Sequence, residues 1–185
     1  MLHTQLEKLL VITGPTASGK SSLALELAQV YPIEIISADS MQVYRYMDIG
    51  TDKVSKEIRE QIPHHLIDIK YPDEPWSVEE FQETAKQAIV DIQARDRLPC
   101  VVGGTGFYIQ ALLYDLPLEN APPNPDLRNR LQETAKVRGN SYVHSMLKEI
   151  DPESYGTLHP NDLKRVIRAI EYYQSTKRPI SARKH

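Results

Sequence analysis

The chain has 185 residues, enough to bury one core and carry an appendage, and its 41% hydrophobic and 25% charged residues are ordinary for a soluble globular protein. No apolar run approaches the roughly 20 residues of a membrane span, and residues 1–8 lack the basic and apolar blocks of a signal peptide. The net charge of −3 hides an asymmetry: residues 1–125 hold 10 Lys+Arg against 18 Asp+Glu (net −8), and residues 126–185 hold 12 against 7 (net +5).

Strand and helix signals alternate through the first part of the chain. Leu9–Thr13 reads as a buried strand, and Gly19–Val30 as the helix after it. Between them Gly14-Pro15-Thr16-Ala17-Ser18-Gly19-Lys20-Ser21 fits G-x-x-x-x-G-K-[ST], in the strand–loop–helix context that the pattern requires. Such a loop gathers backbone N–H groups on phosphate oxygens. Lys20 adds a point charge, and the Ser21 hydroxyl can ligate Mg²⁺. The motif therefore points to a bound diphosphate without saying which one. A plain glycine turn is the competing reading, and the flanks speak against it.

Ile33–Ser37 is a second short apolar strand, and His65–Ile69 a weaker third. Phe81, Ala85, Ile89 and Ile92 recur at helical spacing, so Ser77–Ala94 is predicted to be an amphipathic helix with Ser77 as N-cap and Glu80 completing a capping box. Leu98–Val102 is another buried strand. Its Cys100 is the chain's single cysteine, which excludes an intramolecular disulfide and fits a reducing cytoplasm. After Tyr114 the texture changes. Leu116–Pro125 is proline-rich, and beyond it only helical patterns remain, at 126–138, 142–150 and 161–175. Leu163, Val166, Ile167 and Ile170 form the apolar stripe of the last.

These signals predict an α/β fold: a P-loop parallel sheet with helices on both faces over residues 1–114, and an all-helical appendage or insertion over 115–185. Ligands of such sheets bind beyond the carboxyl ends of the strands. One pocket is therefore expected, bordered by the P-loop, by Ser37–Ser40 and by Gly103–Gly106.

Within that pocket Asp39 could serve as a proton acceptor or hold Mg²⁺ through water, or simply cap the next turn. Thr16 and Ser18 can offer hydroxyls to phosphate. Gly103-Gly104-Thr105-Gly106 is either a ligand-contacting loop or a plain strand-to-helix turn. Lys164, Arg165 and Arg168 lie on one side of the last helix, with Arg128 and Arg130 on the helix after the prolines. They could grip a phosphate backbone, although a solvated face is the commoner meaning of such a cluster. His64 and His65 are adjacent on an extended segment and point to opposite faces, so they do not form a metal-ligand pair.

The order of segments GPTASGKS at 14–21, ISADSMQVYRYMDIGTDK at 36–53, PHHLIDI at 63–69, VVGGTGFYIQALL at 101–113 and HPNDLKRVIRAIE at 159–171 resembles the tRNA dimethylallyltransferases, or tRNA isopentenyltransferases. The D-S-M-Q-V-Y and H-P-N-D-x-x-R segments are the most specific, and the resemblance spans almost the whole chain. It implies transfer of a dimethylallyl group from dimethylallyl diphosphate to N6 of an adenine beside the anticodon of tRNA. The loop from Gly14 to Ser21 would hold the donor's diphosphate with Mg²⁺. Asp39 matches the general base, Thr16 sits near the donor's bridging oxygen, and Lys20 supports the leaving diphosphate. Asp39, Ser40, Met41, Gln42, Thr105, Arg128, Lys164, Arg165 and Arg168 match positions that touch the tRNA anticodon stem-loop. The expected setting is a monomer in the cytoplasm, away from membranes. The resemblance also implies that the family's C-terminal third lies outside these residues, and that Tyr46 stands where family members often carry a small residue. Three alternatives stay open: an adenylate isopentenyltransferase acting on a free nucleotide, a P-loop nucleotide kinase, and a non-catalytic RNA-binding fragment.

Overall fold

Residues 8–116 and 123–184 are described in a computed structural model of the chain. The proline-rich stretch expected at 116–125 falls largely outside them, as do the first seven residues. The chain divides into two compact units, Met1–Leu118 and Glu119–His185.

The first unit is built on four parallel strands: β1 (Leu10–Thr13), β2 (Ile33–Ser37), β3 (His64–His65) and β4 (Leu98–Gly103), in spatial order β1-β4-β2-β3. Register is set by apolar side chains on both faces. Leu10 aligns with Cys100, Ile35 with Cys100 from the other side, and Ile35 with His64. Alternate residues of β4 separate the two half-cores. Val101 packs with Ile36, Phe81, Ala85 and Ile89 under α3 (Val78–Gln93) and α4 (Gly106–Leu113). Cys100 and Val102 pack with Ala24, Ile33 and Ile35 under α1 (Lys20–Ala28). Helices thus cover both faces, the α/β arrangement that the alternating pattern predicts. Burial pushes the Cys100 thiol up to about 11.

α3 forms as its sequence dictates. The Ser77 hydroxyl accepts from the Glu80 N–H at 3.2 Å, and the Glu80 carboxylate accepts from the Ser77 N–H at 3.3 Å, the reciprocal capping box. β3 differs from expectation. It ends at His65, because Leu66 and Asp68 adopt left-handed backbone at φ 63° and 57°. The chain there turns away to pair Asp68–Lys70 with Gln42–Arg45 instead. Asp68 is fixed by Lys53 and Arg59, each at 2.7 Å, and these cations outweigh burial to hold its carboxyl below the usual range. A short helix, α2 (Lys56–Gln61), fills the segment before β3.

The second unit is all helical: α5 (Pro125–Arg138), α6 (Asn140–Ser145), α7 (Leu147–Ile150), α8 (Pro152–Thr157) and α9 (Leu163–Thr176). The helix expected over 142–150 is divided at Met146. Val166, Ile167 and Ile170 of α9 pack with Leu127, Leu131, Val143 and Leu147, so the predicted stripe is the core of this unit. Asp151 caps α8 through Ser154 and also accepts from Ser181, which closes the unit's last turn. No helix of the described residues is long and apolar enough to cross a membrane.

Candidate active site

β1 ends at Thr13, and the chain turns over the carboxyl edge of the sheet before α1 begins at Lys20. Two residues of this turn are left-handed, Ala17 at φ 62° and Gly19 at φ 79°. Glycine meets that demand without a Cβ penalty. Left-handed residues leading into a helix N-terminus gather N–H groups into an anion-binding concavity, reinforced by the helix dipole. The Lys20 ammonium lies across the loop, donating to the Pro15 carbonyl at 2.5 Å and towards Ser18 Oγ at 3.4 Å.

A cavity of about 320 Å³ opens at this point. Its walls are the loop from Thr16 to Ser22, the segment holding Ser37, Asp39 and Gln42, and Val102–Gly104 at the end of β4. Thr51, Asp52, Val54, His64 and Ile67 close the remaining side. Of the residues expected at the site, Thr16, Ala17, Ser18, Gly19, Lys20, Ser21, Asp39 and Gln42 line the cavity, whereas Gly14, Pro15, Ser40, Met41 and Thr105 do not.

Asp39 is half-buried. Its Oδ1 accepts from the N–H groups of Met41 at 2.8 Å and Gln42 at 3.3 Å, so the residue does cap its turn. Its Oδ2 makes no hydrogen bond among the described residues, and capping and cavity roles coexist in one carboxylate. Gln42 is locked at both ends of its amide. Oε1 accepts from the Ser37 hydroxyl at 3.0 Å, and Nε2 donates to the Thr51 carbonyl at 3.1 Å.

The second glycine loop borders the cavity at Gly103 and Gly104 and also serves the protein's own packing. A Cβ on Gly103 would stand 2.2 Å from the Ala38 carbonyl oxygen and 2.5 Å from its carbon. Ala38 also donates to Val102 O at 2.8 Å and accepts from Thr105 N–H at 3.3 Å. These contacts fasten the residue before Asp39 to the end of β4. Gly106 has open space around it.

His64, Thr51 and Asp52 are cavity residues that motif reading leaves out. Pairing of Gln42–Arg45 with Asp68–Lys70 folds the 39–53 segment back on itself, and no local pattern announces it. His64 Nδ1 lies 2.6 Å from the Ile62 carbonyl, which can only accept, so the proton is on Nδ1 and Nε2 is an acceptor. Burial is the largest influence on this ring and lowers its pKa. His65 instead meets the buried Glu34 carboxylate at 2.7 Å, and the two histidines do part to different partners. Among the described residues no group of three His, Cys, Asp or Glu could hold a metal ion. A cation here would need ligand oxygens beside the Ser21 hydroxyl, which suits Mg²⁺ riding on a diphosphate.

In the helical unit, the residues expected to grip RNA divide into two groups. Arg128 clasps Glu171 with two nitrogens at 2.7 and 2.8 Å, and Arg168 reaches the same carboxylate at 2.7 Å. Glu171 is 1% exposed and also accepts from the Asn124 N–H at 2.7 Å. Burial alone would raise its pKa; the Arg128, Asn124 and Arg168 donors outweigh that and hold it at about 2. The first duty of Arg128 and Arg168 is therefore to neutralise a buried carboxylate, which corrects the picture of a purely solvent-facing cluster. Lys164 and Arg165 are exposed, Arg165 beside Asp162 at 3.4 Å. Arg128, Gln132, Leu163, Lys164, Ile167 and Arg168 line a groove of about 370 Å³ in this unit.

Comparison with known proteins sets this geometry in context. Residues 42–185 match the IPP transferase family, and residues 7–69 match the isopentenyl transferase family. The chain belongs to the IPP transferase family. It is 52% identical over 176 residues to a tRNA dimethylallyltransferase of Acetivibrio thermocellus, covering 95% of this chain and 56% of that protein. It is 51% identical over 175 residues to the same-named protein of Geobacillus thermodenitrificans, again covering 95% and 56%. Among solved structures, a tRNA isopentenylpyrophosphate transferase from Bacillus halodurans superposes with a TM-score of 0.60 at 45% identity, covering 94% of this chain and 57% of that one. A eukaryotic dimethylallyltransferase acting on tRNA gives 0.77 at 34% identity, covering 95% and 43%. The chain thus spans about half the length of the relatives it matches.

Proposed function

We propose that this chain transfers a dimethylallyl group from dimethylallyl diphosphate to the exocyclic N6 of the adenine adjacent to the anticodon of tRNA, releasing diphosphate in the cytoplasm. The observation that carries the reading is Asp39: a carboxylate with one oxygen uncommitted, lining the same cavity as an intact P-loop. Membership of the IPP transferase family supports the choice of a prenyl donor over a nucleoside triphosphate. The match across the helical unit, with exposed Lys164 and Arg165, supports an RNA acceptor over a free nucleotide.

In this reading the loop N–H groups from Ala17 to Ser21 and the Lys20 ammonium bind the donor's diphosphate, and Thr16 lies beside its bridging oxygen. The N6–carbon bond forms as the carbon–oxygen bond to diphosphate breaks, and the leaving group takes the electron pair into the P-loop. Asp39 takes the N6 proton, which an adenine amine does not shed unaided. Charge develops on the diphosphate, where Lys20 and the helix N-terminus stabilise it. Mg²⁺, held by Ser21 and the ligand's own oxygens, would supply further neutralisation of that charge. The target base must leave its stack to bring N6 to Asp39 in the cavity. Lys164 and Arg165 contact the RNA backbone, with Arg128 and Arg168 lining the groove beside them.

The test is incorporation of labelled dimethylallyl from its diphosphate into an unmodified anticodon stem-loop, with AMP as the competing acceptor. Label in the RNA is expected. Asp39→Asn should lower turnover by roughly 10²- to 10⁴-fold with RNA affinity nearly unchanged. Label in AMP alone, or ATP consumption without prenyl transfer, would overturn the reading.

A further inference from the structure

The segment between Asp39 and Lys53 leaves the cavity at Gln42 and returns to it at Thr51 and Asp52. Between these points it displays large side chains that bury little: Tyr46 is 78% exposed and Ile49 99% exposed. Tyr46 is also left-handed, at φ 66°. A bulky residue holds that conformation only where its surroundings impose it. Here they do. Arg45 N–H donates to the Lys70 carbonyl at 2.8 Å, the buried Lys53 ammonium holds the Tyr44 carbonyl at 2.8 Å, and Thr51 Oγ1 holds the Met47 carbonyl at 2.6 Å.

A second tyrosine completes the surface. The Tyr71 ring lies 6.3 Å from that of Tyr46, tilted by 42°. The Arg45 guanidinium sits 4.7 Å above the Tyr71 ring, its Nη1 donating to Tyr71 Oη at 3.0 Å and its Nε to the Asp68 carbonyl at 2.9 Å. Two exposed aromatic rings and a guanidinium plane therefore lie together on the loop that joins the cavity residues Gln42 and Thr51 and on the turn beside it. Unpaired RNA bases stack on such faces, whatever their identity. The patch comes from one loop and one neighbouring turn, far less than a stable protein–protein interface needs.

We propose that Tyr46, Tyr71 and Arg45 form a stacking platform for an unpaired loop base of the RNA acceptor, next to the base that enters the cavity. The proposal deepens the tRNA reading above and rests on it.

Binding of an unmodified anticodon stem-loop at fixed salt, measured by fluorescence anisotropy, tests it with the wild-type chain, Tyr46→Phe and Tyr46→Gly. Glycine accepts φ 66° freely, so Tyr46→Gly should melt no lower than wild type. It should nevertheless bind RNA roughly 5- to 150-fold more weakly, the range for losing one base–aromatic stack, while Tyr46→Phe binds like wild type. With an abasic site walked through the unpaired loop positions, the gap between wild type and Tyr46→Gly should close at one position. Equal binding by wild type and Tyr46→Gly, or a gap that survives at every position, overturns the platform alone. Failure of the wild-type chain to bind the stem-loop overturns the platform and the tRNA reading together.

Discussion

Two strand-to-helix turns on the same edge of the sheet use glycine for opposite purposes. In the turn after β1, Gly19 is left-handed and a Cβ there would meet nothing within 4 Å. In the turn after β4, a Cβ on Gly103 would collide with the Ala38 carbonyl. The first turn keeps its backbone open towards the cavity, whereas the second, though it also borders the cavity, is closed against Ala38 by the protein's own packing. The basic residues show the same contrast. Lys20 spans an open loop, while Arg128 and Arg168 are engaged by Glu171. A functional residue type is thus no guide to function until its neighbours are known.

The comparison is broken most sharply at Gly103. Gly103→Ala should destabilise the sheet unit by about 3 kcal/mol or more, since backbone rather than a flexible side chain must move. Urea unfolding would read this, and an unchanged midpoint would mean that the two loops are equivalent. Glu171→Gln comes next. The folded carboxyl lies at about 2 against an ordinary 4.5, so its charged form contributes stability that is full above pH ~4.5 and is lost as pH falls towards 2. The variant should therefore lose about 3 kcal/mol near neutral pH and match wild type near pH 2, a convergence visible in melts across that range. The smallest effect belongs to Gly19→Ala. With open space beyond its Cβ, it should cost only about 1 kcal/mol of backbone strain, measured as a small drop in Tm.

Much of the fold is legible in the sequence, because the strands are short apolar runs and α3 carries both its stripe and its cap. What escapes is non-local. Leu66 and Asp68 are left-handed with no glycine to announce it, so β3 is shorter than the HLIDI run suggests. Met146 divides a continuous helical pattern. At the site, the P-loop and Asp39 are visible because motif and position coincide. Thr51, Asp52 and His64 are not, since the 39–53 segment reaches the cavity only through its pairing with Asp68–Lys70. Glu171 is the plainest case. A glutamate on an amphipathic helix reads as surface, and only the converging donors of Arg128, Arg168 and Asn124 allow it to be buried.

The position of Cys100 gives the molecule an internal clock. The lone thiol lies in the middle of β4, whose backbone is paired on both sides, and it is buried under α1 and reluctant to ionise. Alkylating reagents can reach it only when α1 lifts from that face of the sheet, so the speed of its labelling counts those openings one by one. Added pyrophosphate should slow that count, which would report occupancy of the P-loop without any turnover.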